Sequence, residues 1–311
     1  MSSNDNSWEA VIGHGYHLKA TSREIHISRD RDVKRIPIEK IDHLLIVGMH
    51  NIHTSVVLQL QRQHKFISFF DTDAKPIGFL RPFGYSDDQE IQSIQRKTPS
   101  HRFGLAICRA AMRARIQFLE EHLQRREGFQ FYMGELELFH RSLEEVKYLV
   151  KIEELRRLQR LTSDMYYEVL ARTVNPVLRF RRRTERPHQD PVNALFSVGY
   201  AILYGACCIE VFGAHLDPDV GFLSEGEGSL IADLIEPFKP RMVDSVVMDL
   251  VWRGIPNSDY DCGDVRCHLS DTLVNLVGEE LRKSIDRRML HQYVQGLRKA
   301  ICENTEFITP Y

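Results

Sequence analysis

The sequence lacks the usual marks of nucleotide-handling and acyl-transfer enzymes. It contains no P-loop, no G-x-G-x-x-G turn and no G-x-S-x-G elbow, so neither a glycine phosphate cradle nor a strained serine nucleophile is expected. Cysteine is sparse: six residues, at 108, 207, 208, 262, 267 and 302, with no C-x-x-C pair. Cys262, Cys267 and His268 have the spacing of half a zinc site, but a second half is missing, so buried or free thiols are expected. Net charge is also missing. The 41 basic and 43 acidic side chains leave -2, so any nucleic-acid binding must come from local patches of Lys and Arg. No apolar run is read as approaching the roughly 20 residues of a membrane span, and the N-terminal MSSNDNSWEA has no signal-peptide core. Together these absences are read as a cytoplasmic protein in a reducing compartment.

What is present is a chain of 311 residues, 43% hydrophobic and 27% charged, which is long enough for a sizeable core. Its first part reads as strands: VIGHGYHLKA, EIHISRD, IDHLLIVG and KFISFFDT are short and rich in β-branched and aromatic residues. Between them HTSVVLQLQRQ reads as a short helix capped by Thr54 or Ser55, burying Val56, Val57 and Leu60. GFLRPFGYSDDQE reads as a turn-rich linker, and from about Gln89 the apolar spacing becomes helical. Long helical stretches are expected over HRFGLAICRAAMRARIQFLEEHLQ, with Gly104 its weak point, and over VKYLVKIEELRRLQRLTSDMYYEVLARTV, stopped by Asn175-Pro176. DPVNALFSVGYAILYGACCIEVFG has Asp190 to cap it and Pro191 at its first turn. It is apolar nearly all round, which predicts a central buried helix. The stretch from Asp271 to Phe307 completes the set. The fold class is therefore α+β: a β-rich domain over residues 1–85, then an α-helical domain over 86–311.

Two stretches carry chemistry. Arg179, Arg181, Arg182, Arg183 and Arg186 fall within eight residues just before the buried helix, and guanidinium forks match phosphate oxygens, so this run is read as a nucleic-acid contact, with a solvated charged loop as the alternative. GFLSEGEGSLIADLIEPF places Asp233 and Glu236 three apart. On a helix they share a face, as a hard divalent cation requires. Asp233 interrupts an apolar run, so burial with a salt-bridge partner and an anion held at the helix N-terminus are competing readings. His14, His17 and His26 lie on strands and read as structural.

RPHQDPVNALFSVGYAILYG, LDPDVGFL, SLIADLIEPFKPRMVD, LLIVG and FISFFDTDAKPIGFL, taken together, resemble the CRISPR-associated spacer-acquisition integrases, the Cas-one family, over nearly the whole chain. The matches include Asp190, Pro191, Asn193, Ala194, Ser197, Gly199, Tyr200, Leu203 and Tyr204. The resemblance implies an N-terminal β domain that forms homodimers and a helical catalytic domain, with dimers flanking a small Cas-two dimer. It implies double-stranded DNA, both prespacer and CRISPR repeat, as substrate. It also implies an endonuclease/integrase whose Mg²⁺ or Mn²⁺ sits on a Glu, a His and an acidic residue.

Carried over position by position, the acidic ligand falls on Asp233 and Glu236. The His follows the G-F-L turn, where this sequence has Ser224. The Glu stands about seven residues before an aromatic pair, here Tyr166-Tyr167, which places Gln159 there. The expectation is a DNA-binding, architectural adaptation subunit with an impaired active site, working beside a Cas-two-like dimer or an active paralogue. The alternative is an active enzyme whose missing carboxylate comes from Glu154, Asp164 or Glu168.

Overall fold

The computed structural model describes residues 7–82, 88–123 and 126–311. The expected domain boundary at residue 85, part of the linker and most of the N-terminal segment read for a signal peptide lie outside the described residues.

A β-sheet region is followed by a helical region, as expected. The sheet has six strands in the order β3-β2-β1-β4-β5-β6. They are β1 (Ser7–Ala20), β2 (Glu24–Arg29), β3 (Asp32–Pro37), β4 (Ile41–Ile52), β5 (Phe66–Phe70) and β6 (Pro76–Leu80). The central pairs β1–β4 and β4–β5 are parallel, the rest antiparallel. α1 (Thr54–Arg62) makes the crossover between β4 and β5. Its cap is neither Thr54 nor Ser55 but His53, whose Nδ1 accepts from the Ser55 N–H at 3.1 Å. Val56 and Leu60 are fully buried, and Val57 partly so. β3 and β6 are the two edge strands. DVKRIP is polar and PIGFL mostly exposed, so neither carries the alternation of a half-buried strand.

The helical region comprises α2 (Gln89–Lys97), α3 (Ser100–Phe118), α4 (Glu135–Glu145), α5 (Ile152–Ala171), α6 (Pro191–Gly213), α7 (Ser229–Ile235), α8 (Ser245–Arg253), α9 (Asp271–Ser284) and α10 (Arg287–Glu303). A small hairpin, β7 (Tyr260–Cys262) and β8 (Cys267–Leu269), lies before α9. α6 is the axis. Asp190 caps it, its carboxylate accepting from the Asn193 N–H at 2.8 Å and from Asn193 Nδ2 at 2.7 Å. Contrary to the sequence reading, α6 is long and apolar enough to cross a membrane by length and composition, yet 89% of its most apolar window is buried within the protein. It is apolar all round because other elements surround it.

The sheet has two unlike faces. Val11, Leu18, Ile25, Leu44, Ile46 and Ile67 form a separate core with α1, while Trp8, Leu45, Val47, Phe66 and Phe70 join the large helical core. Gly205 of α6 lets the contact close, because a Cβ there would meet Leu45 Cδ2 at 2.5 Å.

The cysteine expectation is corrected. Cys262 and Cys267 face each other across the β7–β8 hairpin and form a disulfide, not half a zinc site. A reducing compartment does not favour such a bond. Cys108, Cys207 and Cys208 are buried thiols and Cys302 is exposed.

Candidate functional site

Gly221, Phe222 and Leu223 turn sharply ahead of α7, and Asp233 holds that turn. Its Oδ2 accepts from the Phe222 and Leu223 N–H groups at 2.7 Å each, and its Oδ1 from the Ser224 N–H at 2.9 Å. Only glycine fits at 221, where a Cβ would sit 2.8 Å from Ser224 O and 2.9 Å from Asp233 Oδ2. Burial pushes the Asp233 carboxyl above the usual range, and the hydrogen bonds from Ser224 and the turn oppose that rise. Its oxygens are therefore committed. Neither competing reading holds for Asp233: its partners are backbone amides and the Ser224 side chain, not an arginine. The start of α7 is committed too, with Gly228 N–H donating to Asp219 Oδ1 and Leu230 N–H to Pro218 O.

Glu236 points elsewhere. α7 ends at Ile235, and Glu236 lines a cavity of about 450 Å³ with Gln159, Ser224, Arg115, Arg156, Arg160, Ser163, Asp164, Leu223 and Glu225. Of the four positions carried over as ligands, 159, 224 and 236 thus share one cavity, whereas Asp233 is not in its lining. Arg115 from α3 approaches Glu236 Oε2 at 2.5 Å, and Lys239 pairs with Oε1. Burial raises the Glu236 pKa, but the Lys239 and Arg115 cations outweigh it and hold the carboxyl below its ordinary range. Beneath the cavity, Tyr166 donates to Asp244 at 2.8 Å and Tyr200 to its other oxygen at 2.5 Å. Tyr167 bonds Tyr200 at 2.6 Å, so the aromatic pair anchors α5 to α6.

A divalent cation does not fit this lining. Gln159 and Ser224 are neutral, Asp233 is spent on the turn, and Glu236 already has two cations. Among the described residues, no group of three His, Cys, Asp or Glu is placed to hold a metal. Of the substitute carboxylates, Asp164 reaches the rim, Glu154 accepts from the Lys151 N–H, and Glu168 is not in the lining.

The arginine run divides. Arg179, Arg181 and Arg182 line an open groove of about 840 Å³ together with Thr184, Glu185, Gln189 and Asp264. Arg183 turns inward. Its guanidinium donates to Asn193 O at 2.8 Å, Asn193 Oδ1 at 2.7 Å and Ser197 Oγ at 2.7 Å, and lies over the Phe196 and Tyr200 rings. Arg186 donates to Ala74 O at 3.2 Å, tying the run to the sheet region. So Arg183 and Arg186 serve the fold. His14 and His17 are exposed, and His26 lies 3.4 Å from Glu24.

The model of the family described as CRISPR associated protein Cas1 matches residues 10–283. The chain belongs to the Cas1 family. A Cas1-named relative from Methanospirillum hungatei JF-1 is 34% identical over 296 residues, covering 95% of this chain and 98% of its own length. A Cas1 protein from Thermotoga maritima superposes with a TM-score of 0.82 at 20% identity, covering 98% of this chain and all of that one. A casposase bound to an integration product does so with a TM-score of 0.83 at 18% identity, covering 97% and 92%. These two share the fold with the present Cas1 family member. Sequence reasoning missed Arg115 and Lys239 in its site. Their signals were an arginine on the apolar face of a helix, four residues after Ala111, and a lysine three residues after Glu236.

Proposed function

We propose that this Cas1 family member is a DNA-binding, architectural subunit of CRISPR adaptation, and that its own pocket does not carry out metal-dependent strand transfer. The observation that carries this reading is the pairing of Glu236 with Arg115 and Lys239 in a cavity whose other two ligand positions are Gln159 and Ser224. Strand transfer needs the attacked phosphate polarised and its developing charge neutralised. A lining whose one carboxylate at a ligand position is already neutralised has little to offer a Mg²⁺ or Mn²⁺ ion. The casposase on its integration product supports DNA ends as the ligand class for this fold.

Duplex DNA lies along Arg179, Arg181 and Arg182 in this reading. The β region makes the homodimer, and a Cas-two-like dimer or an active paralogue completes the assembly. The purified protein therefore binds duplex DNA with a steep salt dependence and gives no strand transfer with Mn²⁺. Robust Mn²⁺-dependent strand transfer, lost in Asp233→Ala with Glu236→Ala, overturns the catalytic half. A light-scattering mass of one 36.2 kDa chain counts against the dimer.

Asp164 at the rim favours a second reading, in which it supplies the missing carboxylate. Activity abolished by Asp164→Asn would select that reading.

A further inference from the structure

The Gln159–Ser224–Glu236 cavity is an inverted metal site. A cation is held by lone pairs, whereas this lining is rich in N–H and O–H donors. Arg156, Gln159, Arg160 and Ser163 form one stripe of α5, at the i, i+3, i+4 and i+7 spacing of a single helix face, and all four line the cavity. Arg115 faces them from α3, while Ser224 lines the cavity with its hydroxyl bonded to Asp233.

Three acids also line the cavity, and each is accounted for. Glu236 is neutralised by two cations. Glu225 pairs with Arg156 at 2.6 Å but is 79% exposed, a weak pair that a better anion displaces. Asp164 is exposed at the rim. Two donors are left over. Arg160 has no hydrogen-bond or ion-pair partner among the described residues. Arg115, only 3% exposed, has its Nη1 buried without a partner.

We propose that the cavity is a metal-independent phosphodiester site. In it Arg156 and Arg160 receive a backbone phosphate of the DNA, and Arg115 and Lys239 supply the fixed positive charge that a divalent ion would otherwise bring. Guanidinium forks, the Gln159 amide and the Ser163 hydroxyl are the donor set for a tetrahedral anion. The inference rests on the reading that the chain binds DNA but does not use a metal here.

The test is fluorescence anisotropy of a labelled DNA duplex over a series of salt concentrations, in EDTA and in Mn²⁺. The wild-type chain binds equally in both. Arg156→Gln with Arg160→Gln weakens binding about tenfold and reduces the magnitude of the log K against log salt slope by roughly two, one per lost phosphate contact. Because Arg156 also donates to Leu223 O, Arg160→Gln alone is measured as well; without a partner to lose, it keeps the wild-type melting temperature and lowers the slope by about one. Tightening of the wild type by Mn²⁺, or wild-type slopes in both variants, overturns the inference while leaving DNA binding through the arginine groove intact. Absence of duplex binding by the wild type overturns the proposed function and this inference together.

Discussion

Glu236 is bound as a structural ion pair, and its removal should be felt by the fold. Arg115 is almost fully buried, so deleting its carboxylate leaves an uncompensated charge in a low-dielectric site. Glu236→Ala is expected to destabilise the protein by about 3 kcal/mol. A carboxylate kept only for a metal would leave chemical denaturation unchanged on deletion, and an unchanged midpoint would refute the structural role. The carboxylate pair was legible as a pair of acids, not as a pair of ligands. Nothing in a three-residue spacing tells that one acid closes a turn onto three amides while the other meets an arginine 121 positions away. Ser224 was placed by motifs on both sides of it and Gln159 only by its distance from the Tyr166-Tyr167 pair, and the two line one cavity.

Among the elements, α6 was the most legible, since Asp190, Pro191 and a stretch apolar nearly all round specify its start and its burial. β3, β6 and α4 were not. Their residues are largely exposed or polar, so no face imposes a period on the sequence. The disulfide was hidden for a related reason: a separation of five becomes a bonding distance only once the β7–β8 hairpin has formed. The docking of α6 on the sheet carries its own prediction. Gly205→Ala forces a methyl into Leu45 and His43 and should cost about 1–3 kcal/mol in a thermal melt. Gly296→Ala in α10, where nothing lies within 4 Å, should be stabilising by about 0.5–1 kcal/mol through helix propensity. Equal effects at the two sites would remove the steric argument.

For the molecule as a whole, buried histidines set a lower pH limit. Burial, aided by the Arg287 cation, brings the His43 pKa down to about 3, while burial with Arg183 and Arg186 does the same for His188. Both are neutral in the fold and protonate near 6.5 when unfolded. Their contribution is therefore complete above about pH 6.5 and is lost as the pH falls toward 3. Asp190, Asp233 and Asp244, with raised pKa values, act in the opposite sense at lower pH, so a difference measurement isolates the histidine. His43→Gln should gain about 2 kcal/mol relative to wild type between pH 7 and pH 5 in urea unfolding. A pH-independent difference would mean that His43 is not held neutral.

The Arg115–Glu236–Lys239 cluster also bears on what a metal site in this cavity would require. Replacing Gln159 and Ser224 with a glutamate and a histidine would supply two ligands, yet Glu236 would still be held by two cations. Freeing it means removing Arg115, which is almost fully buried, so that step loses packing before a third ligand is gained. The cluster acts as a lock: with two cations closed on Glu236, a three-ligand metal site in this cavity would take a concerted change of at least four residues, Gln159, Ser224, Arg115 and Lys239.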